Sequence, residues 1–499
     1  VKKLISAILI LAMLVVPTIG TLVACASQDE GGDVAGDTKT GDTTAAPEDA
    51  DTPKGLAAAG LPSEKFEGEV FTFLSPSTAE YAWWLIDADD ITGEVLNDSI
   101  YNRNKKIEET FGVSIDVTIS SNFQNDVQNA VNANDTVYSS AFGPMNAQLT
   151  LGQSGYLKNL YDVTYIDLEK PWWDKSLTDG ITLFNKLYFA CGDISPAMNL
   201  RVYSLVFNKD LCRELGLDLP YDHVLNGTWT LEVFSKYIQD VNFDMNGDSV
   251  MDYGDRWGYF SQNGNSYMMY FSGGGRITET DENGVPQIVI SNEKFVNLAT
   301  QALEISFDKT KKTKALMADL YVQQNGGAWS AASSWFAAGG SLMRSSVFEP
   351  VPRDYRTMET DFGVLPYPKF DETQDRYYTL PEATGFVVSI PISADVERAG
   401  IILEALAAES TVTVTPALYD VCLNGKIIRD NESEKMLDII FGSKVFDIGY
   451  IINLGGFTST LTALEQASST DVVSKYTTTT KASQKTLDKL VEDIANLEH

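Results

Sequence analysis

Asp244, Asn246, Asp248, Asp252 and Asp255 occupy positions 1, 3, 5, 9 and 12 of segment 244–255, and Val250 at position 7 can offer its backbone carbonyl. A hard dication needs several oxygens converging from one tight turn, and this EF-hand-like spacing supplies them. Ser249 stands where glycine is usual, and Asp255 is shorter than the customary glutamate. The spacing predicts a structural Ca2+ clamp, with an acidic turn holding no ion as the alternative. No paired partner loop marks a calcium sensor. Other chemistries find less material. His223 and His499 are the two histidines, which disfavours a zinc site or a histidine-based nucleophile system. Cys191, Cys212 and Cys422 show no CxxC spacing and read as buried packing, with one disulfide possible. Among 69 acidic residues some carboxylate pair always looks eligible for glycoside hydrolysis, so the acids alone carry no catalytic signal.

The first residues read as an address. Lys2 and Lys3 precede an apolar run from Leu4 to Val16, which Pro17 and Gly20 break before Leu22-Val23-Ala24-Cys25. That order predicts a secretory signal peptide over 1–24, and its last four residues match the lipobox of bacterial lipoproteins, in which the cysteine is lipidated. A plain transmembrane anchor is the alternative, but the apolar core is short for a span of ~20 residues. Cys25 is thus the expected lipid-bearing residue, palmitate included, and the expected location is the extracytoplasmic face of the cell membrane. The formal charge is −32, and −34 once Lys2 and Lys3 are removed with the signal. Phosphates would repel such a chain, so nucleic acid is not an expected partner. Residues 26–54 hold 8 acidic residues, 2 basic ones and no aromatic. They cannot bury enough apolar surface to offset ordering, so 25–61 is expected to be a disordered acidic tether.

Beyond the tether the elements alternate. Val70 to Leu74 predicts a strand. Asp98 or Ser99 is the expected cap of a helix with Ile100, Ile107 and Phe111 on one face, ended by Gly112. Val113, Ile115, Val117 and Ile119 alternate with polar residues as a half-buried strand, which a right-handed crossover would set parallel to the first. Leu205 to Phe207 predicts another strand, followed by a helix from Lys209 to Leu215 closed by Gly216. Leu231, Phe234, Ile238 and Val241 mark a longer helix. Gly385 to Ile390 is a compact apolar strand before a helix with Val396, Ile402, Leu403 and Leu406 inward. The last helix shows Leu487, Leu490, Val491, Ile494 and Leu497 at helical spacing, after a polar connector at Thr477 to Thr480. The class is α/β, in more than one lobe.

Several ordered segments carry a family likeness: Tyr101-Asn102-Arg103-Asn104, the aspartate and Pro171-Trp172-Trp173-Asp174 of segment 165–174, and Phe207-Asn208-Lys209 with Leu215-Gly216-Leu217 and Pro220-Tyr221. Gly227-Thr228-Trp229-Thr230 follows, then Asp361-Phe362-Gly363-Val364-Leu365-Pro366-Tyr367-Pro368-Lys369, then the segment from Glu432 to Asp438. In this order they resemble the family 1 extracellular solute-binding proteins of bacterial ABC transporters, in the larger lipoprotein branch. The resemblance implies a two-lobed, periplasmic-binding-protein-like (class II) α/β fold with crossover hinge strands. It places crossovers near Tyr188 to Gly192, Tyr377 to Gly385 and Gly425 to Arg429. One lobe would combine 62–190 with 380–427 and the other 191–379 with 428–499, with the calcium loop in the second. It further implies a monomer with no catalysis, tied to the membrane by its lipid and delivering solute to membrane permease subunits.

Sugars offer apolar C–H faces and hydroxyl edges, so a sugar site wants aromatic platforms beside carboxylates and amides in a cleft. The best cluster follows the first strand, where open α/β sheets bind ligands, and contains Glu80, Trp83, Trp84 and Asp87. Just one of the adjacent tryptophans is expected to face the cleft. Trp257, Tyr267, Trp329 and Trp335 are the second-lobe candidates, each with core packing as its alternative, and Asp193 beside the first crossover could accept hydroxyls or cap the hinge. A carbohydrate receptor is the leading expectation. A receptor for a peptide or an anionic oligomer competes with it, and an arginine pair in the cleft would favour that reading. A secreted glycan-active enzyme is the third.

Overall fold

The chain between the first two strands folds as its pattern dictates. In the computed structural model, which describes residues 54–76, 85–282, 284–290, 292–307, 315–355, 358–423 and 431–498, β1 (Glu69–Pro76) runs parallel to β2 (Val113–Ser120) along its whole length. The helix Val95–Phe111 makes the crossover and buries Ile100, Ile107 and Phe111. It starts before the expected cap. Asp98 lies inside the first turn, where its carboxylate accepts the backbone N–H of Thr92 (2.8 Å) and of Gly93 (3.1 Å). β3 (Ser140–Pro144) flanks β1, and the antiparallel β11 (Phe386–Ser389) completes a sheet of order β11-β3-β1-β2. Against the helix Val95–Phe111 packs the apolar run of Val396–Ser410 and Val414–Leu423, which is apolar enough to cross a membrane yet mostly buried inside the protein.

A second sheet has order β10-β4-β9-β5-β8, from β4 (Tyr203–Asn208), β5 (Trp257–Ser261), β8 (Leu316–Met317), β9 (Ser341–Val347) and β10 (Phe362–Leu365). A small hairpin, β6 (Thr278–Thr280) and β7 (Pro286–Ile288), stands apart. Asn208 ends β4 and caps the next helix, Lys209–Leu215, its side chain accepting the Leu211 N–H at 2.8 Å.

The chain joins the two sheets through a ribbon of two strands. Tyr203 N–H donates to the Leu380 carbonyl (2.9 Å) and Glu382 N–H to the Arg201 carbonyl (2.8 Å). The first crossing therefore lies later than the expected 188–192: Ala190 still pairs with Val388 beside the first sheet. The third expected crossover, 425–429, lies outside the described residues, as do Cys25 and residues 1–53. The expected tether ends early. Gly55 to Ala58 form a short helix in which Gly55 is buried, and Leu56 N–H donates to Glu409 (3.1 Å). Residues 55–61 thus begin the folded body.

Residues 477–480, expected as a connector, are helical within Val472–Ala495. Thr477 and Thr480 bond their hydroxyls back to the carbonyls of Val473 (2.7 Å) and Tyr476 (2.9 Å), so the hydroxyls are satisfied without leaving the helix. Buried Val472 and Tyr476 hold its start against the second-sheet side, Tyr476 donating to the Phe457 carbonyl. Its far end, ~36 Å away, rests on the first-sheet side. There Gln153 donates to Asp493 (2.7 Å), and the Lys186 ammonium reaches the carbonyls of Ile494 (2.9 Å) and Leu497 (2.5 Å). An ammonium on terminal carbonyls satisfies acceptors that the helix itself cannot.

Two buried glutamates have no cationic partner within hydrogen-bonding distance. Glu404 accepts the indole N–H of Trp172 (3.0 Å) and of Trp173 (2.8 Å), which gives the Pro-Trp-Trp segment a structural task. Glu465 accepts the Ser266 hydroxyl at 3.1 Å. Burial pushes both carboxyls up to about 7. Unfolded, each would ionise near 4.5. Between those values the folded protein holds protons that the unfolded chain has shed. Stability therefore falls as pH rises across that window, by up to about 3 kcal/mol per carboxyl.

Two outcomes follow. Lys186→Ala should lower unfolding stability by about 1–3 kcal/mol in urea titration, and an unchanged midpoint contradicts the bridging role. The melting temperature of Glu404→Gln should vary less between pH 5 and pH 8 than that of the parent protein, and an equal pH slope contradicts the assignment.

Candidate functional site

The base of the gap between the sheets is set by which strand ends meet the crossing ribbon. β4 starts at Tyr203 on that ribbon, and β9 runs antiparallel to it, so the end of β9 lies at the crossing. β5 runs parallel to β9, so its end lies there too. The loop after β5 carries Gln262 and Asn263, the helix Asn265–Ser272 that follows carries Tyr267, and the chain after β9 carries Glu349 and Arg353. Tyr267 meets Tyr203 hydroxyl to hydroxyl at 3.4 Å, and its ring centroid stands 6.1 Å from that of Tyr450. Burial pushes the Tyr267 hydroxyl up to about 12, with the charges of Glu382, Glu465 and Asp319 adding to it, and burial raises Tyr203 and Tyr450 well above the usual phenol value. The three hydroxyls therefore stay protonated and can both donate and accept.

This floor is pinned from behind by buried carboxylates. Glu465 holds the turn at Ser266, one residue before Tyr267. Asp447 accepts from Ile277 N–H (2.6 Å), from the Thr278 hydroxyl (2.8 Å) and from Gly449 N–H (2.8 Å), which fixes the turn that carries Tyr450. Along the floor run ion pairs: Arg201 to Glu382 (2.5 Å) and to Glu349 (3.1 Å), then Glu349 to Arg353 (2.6 Å). Glu382, Tyr203, Tyr450, Glu349 and Arg353 escaped the sequence reading, because placing the first crossing at 188–192 left Tyr203 inside the second lobe rather than at the joint.

The expected ligand residues disperse. Glu80, Trp83 and Trp84 lie outside the described residues. Asp87 accepts Asn104 Nδ2 at 2.7 Å, and burial raises its carboxyl. Asn104 is in turn locked beside fully buried Arg103, which donates to the carbonyls of Ile86 and Ile194. Asp193 accepts the Thr415 hydroxyl (2.8 Å) in a crevice of about 270 Å3 where the two sides meet, which Trp172, Asn199, Asp438 and Lys444 also line. Gly192 beside it has φ +152, and a Cβ there would fall 2.1 Å from the Trp172 carbonyl oxygen, so no side chain fits. Tyr267 alone among the expected aromatics joins the floor. Trp329 opens the helix Trp329–Ala337 with its ring 43% exposed.

Trp257 and Trp335 stand elsewhere. Trp257 begins β5, at the end remote from the crossing, and its indole donates to the Asp252 carbonyl (2.7 Å). Trp335 donates to the Tyr253 carbonyl (2.9 Å). Both therefore brace the acidic loop rather than face the gap. Within that loop the Asp244 carboxylate accepts Gly247 N–H (2.6 Å) and Ser249 N–H (2.8 Å), and Asp248 accepts Val250 N–H (2.7 Å). Asp252 accepts Gly254 N–H (2.7 Å), and buried Asp255 accepts Met245 N–H (2.9 Å). Ser249 takes the left-handed conformation (φ 64) at the position glycine usually fills. The turn and its hard oxygen donors suit Ca2+. Their side chains are spread rather than gathered: among the described residues no three acidic, histidine or cysteine groups converge closely enough to hold a metal.

No protein-family model matches the sequence, and no curated protein does. Solved structures do. An ABC substrate-binding protein from Listeria monocytogenes in complex with cycloalternan superposes with TM-score 0.52 at 13% identity, covering 86% of this chain and 99% of that one. The maltose/maltodextrin-binding domain MalE from Bdellovibrio bacteriovorus, bound to maltotriose, gives TM-score 0.51 at 14% identity over 85% of this chain and 100% of that one. A cyclo/maltodextrin-binding protein complexed with maltotetraose gives 0.51 at 16% over 87% and 100%. The chain has the two-lobed α/β fold of the ABC solute-binding proteins.

Proposed function

We propose that this chain is a solute-binding protein that captures a carbohydrate and hands it to an ABC importer by closing its lobes. The observation that carries the reading is the cluster of Tyr203, Tyr267 and Tyr450 beside paired arginines and carboxylates, gathered where the chain joins the two sheets. Half-buried Tyr267 can offer its ring to a sugar C–H face, with buried Tyr203 and Tyr450 supporting it from behind, and the carboxylates suit hydroxyl edges. The fold shared with proteins solved with maltotriose and maltotetraose supports it. A ligand that touches both lobes favours the closed state, which is the differential affinity that closure requires. No catalytic step belongs to this proposal. The finer parts are a monomer lipidated at Cys25 on the extracytoplasmic face of the membrane, with permease subunits as its docking partners, and they rest on the lipobox and the acidic tether.

Ca2+ at Asp244, Asn246, Asp248, Val250, Asp252 and Asp255 is part of the same proposal. The ion would supply positive charge that draws the spread carboxylates together and stiffens the loop braced by Trp257 and Trp335.

Isothermal titration against neutral oligosaccharides tests the central reading. Heat of binding is expected, and Tyr267→Ala should weaken it by about tenfold or more. No heat with any sugar contradicts it, as does an unaltered affinity in the variant. For the loop, millimolar Ca2+ should raise the melting temperature by roughly several degrees over protein in EGTA, and Asp248→Ala should remove most of that shift. Equal melting with and without the ion contradicts the clamp.

A further inference from the structure

The ion pairs on the floor form a continuous chain. Arg353 grips Asp354 through Nε (2.7 Å) and Nη2 (3.1 Å) and Glu349 through Nη1 (2.6 Å). The other oxygen of Glu349 takes Arg201 Nη1 (3.1 Å), and Arg201 Nη2 reaches Glu382 (2.5 Å). Asp354 also feels the charge of Arg344, so each carboxylate of the chain is matched by a cation, and Arg201 is shared between two of them. The Arg201 side chain is 33% exposed, whereas Glu349 and Glu382 are 14% and 25% exposed. An anionic ligand could claim Arg201 only by taking it from one of these half-desolvated carboxylates. That would leave a buried charge unpaired with a second negative charge beside it. Hydroxyls can bond to the outer edges of the same pairs without breaking them.

The remaining charges point the same way. Arg276 donates to the Gly275 carbonyl and lies over the Tyr378 ring. Arg344 is buried and bonded to Ser333 and Tyr355. Arg256 pairs with Glu214 beside the acidic loop. Asp319, whose carboxylate accepts the Asn263 N–H, adds another negative group next to Tyr267.

We propose that this charge chain is a specificity filter, with Glu349 and Glu382 as its determining residues: the site takes neutral glycans and rejects uronic, sulfated and phosphorylated ones. The inference rests on the carbohydrate reading above and narrows it.

The test is an array of neutral and acidic oligosaccharides probed with the purified protein. Titration of the tightest neutral glycan and of its uronate counterpart follows, in the parent protein and in Glu349→Gln, with Glu382→Gln as the second variant should the first not fold. Binding of neutral glycans is expected, with the uronate at least about a hundredfold weaker and the gap reduced about tenfold in the variant. A uronate or sulfated glycan bound as tightly as the neutral one overturns the filter while leaving the carbohydrate reading intact. So does a gap unchanged in a folded variant. Silence across the whole array sinks the carbohydrate reading, and the filter falls with it.

Discussion

Arg201 and Glu382 are held side by side by their own backbones. The Glu382 N–H donates to the Arg201 carbonyl, and two residues on the Tyr203 N–H donates to the Leu380 carbonyl. Backbone pairing of this kind fixes separation and twist but leaves the strands free to flex together, which is the property a hinge between two sheets requires. The second sheet grips the ribbon as well, through Phe348 and Glu349 N–H groups on the Val202 and Leu200 carbonyls. The first side grips it through Met145 and Asn146 N–H groups on the Gly385 and Ala383 carbonyls. Arg201 and Glu382 therefore sit where both sides converge, and anything bound at their side chains feels both.

Rigidity elsewhere comes from carboxylates placed inside rather than from apolar packing alone. Glu404 ties the Trp172 and Trp173 indoles to the helix Val396–Ser410. Glu465 and Asp447 tie the turns that present Tyr267 and Tyr450. Each carboxylate answers several donors that would otherwise be orphaned, so removing one costs more than a single hydrogen bond. The helix Val472–Ala495 adds a longer tie, with its start among Phe295, Phe457 and Tyr476 and its end under Lys186. Motion at the ribbon must move or bend that tie.

Local patterns were legible in the sequence wherever period and capping decide the outcome. The parallel pair formed by β1 and β2 follows from alternation and a crossover helix, the helix Lys209–Leu215 from its closing Gly216, and the strand at 386–389 from its compact apolar run. Less legible was anything that depends on which end of a strand a residue occupies. Trp257 and Tyr267 stand ten residues apart in the chain, one at the remote end of β5 and the other past its near end. Composition cannot tell a tryptophan that braces an outlying loop from one that lines a gap. The Thr477–Thr480 stretch misled for a different reason. Threonine hydroxyls that bond back to carbonyls cancel the polarity that reads as a connector. The floor itself was hidden because its charges come from four separate stretches that only the crossing brings together.

The account stands or falls on motion about the crossing ribbon. Spin labels at Lys105→Cys and Lys236→Cys, exposed positions on opposite sides of the ribbon, report the distance between the two sides by double electron–electron resonance. With a glycan shown by calorimetry to bind, the distance distribution should shift and narrow toward one closed separation. An identical distribution with and without such a bound glycan would mean that nothing hinges there.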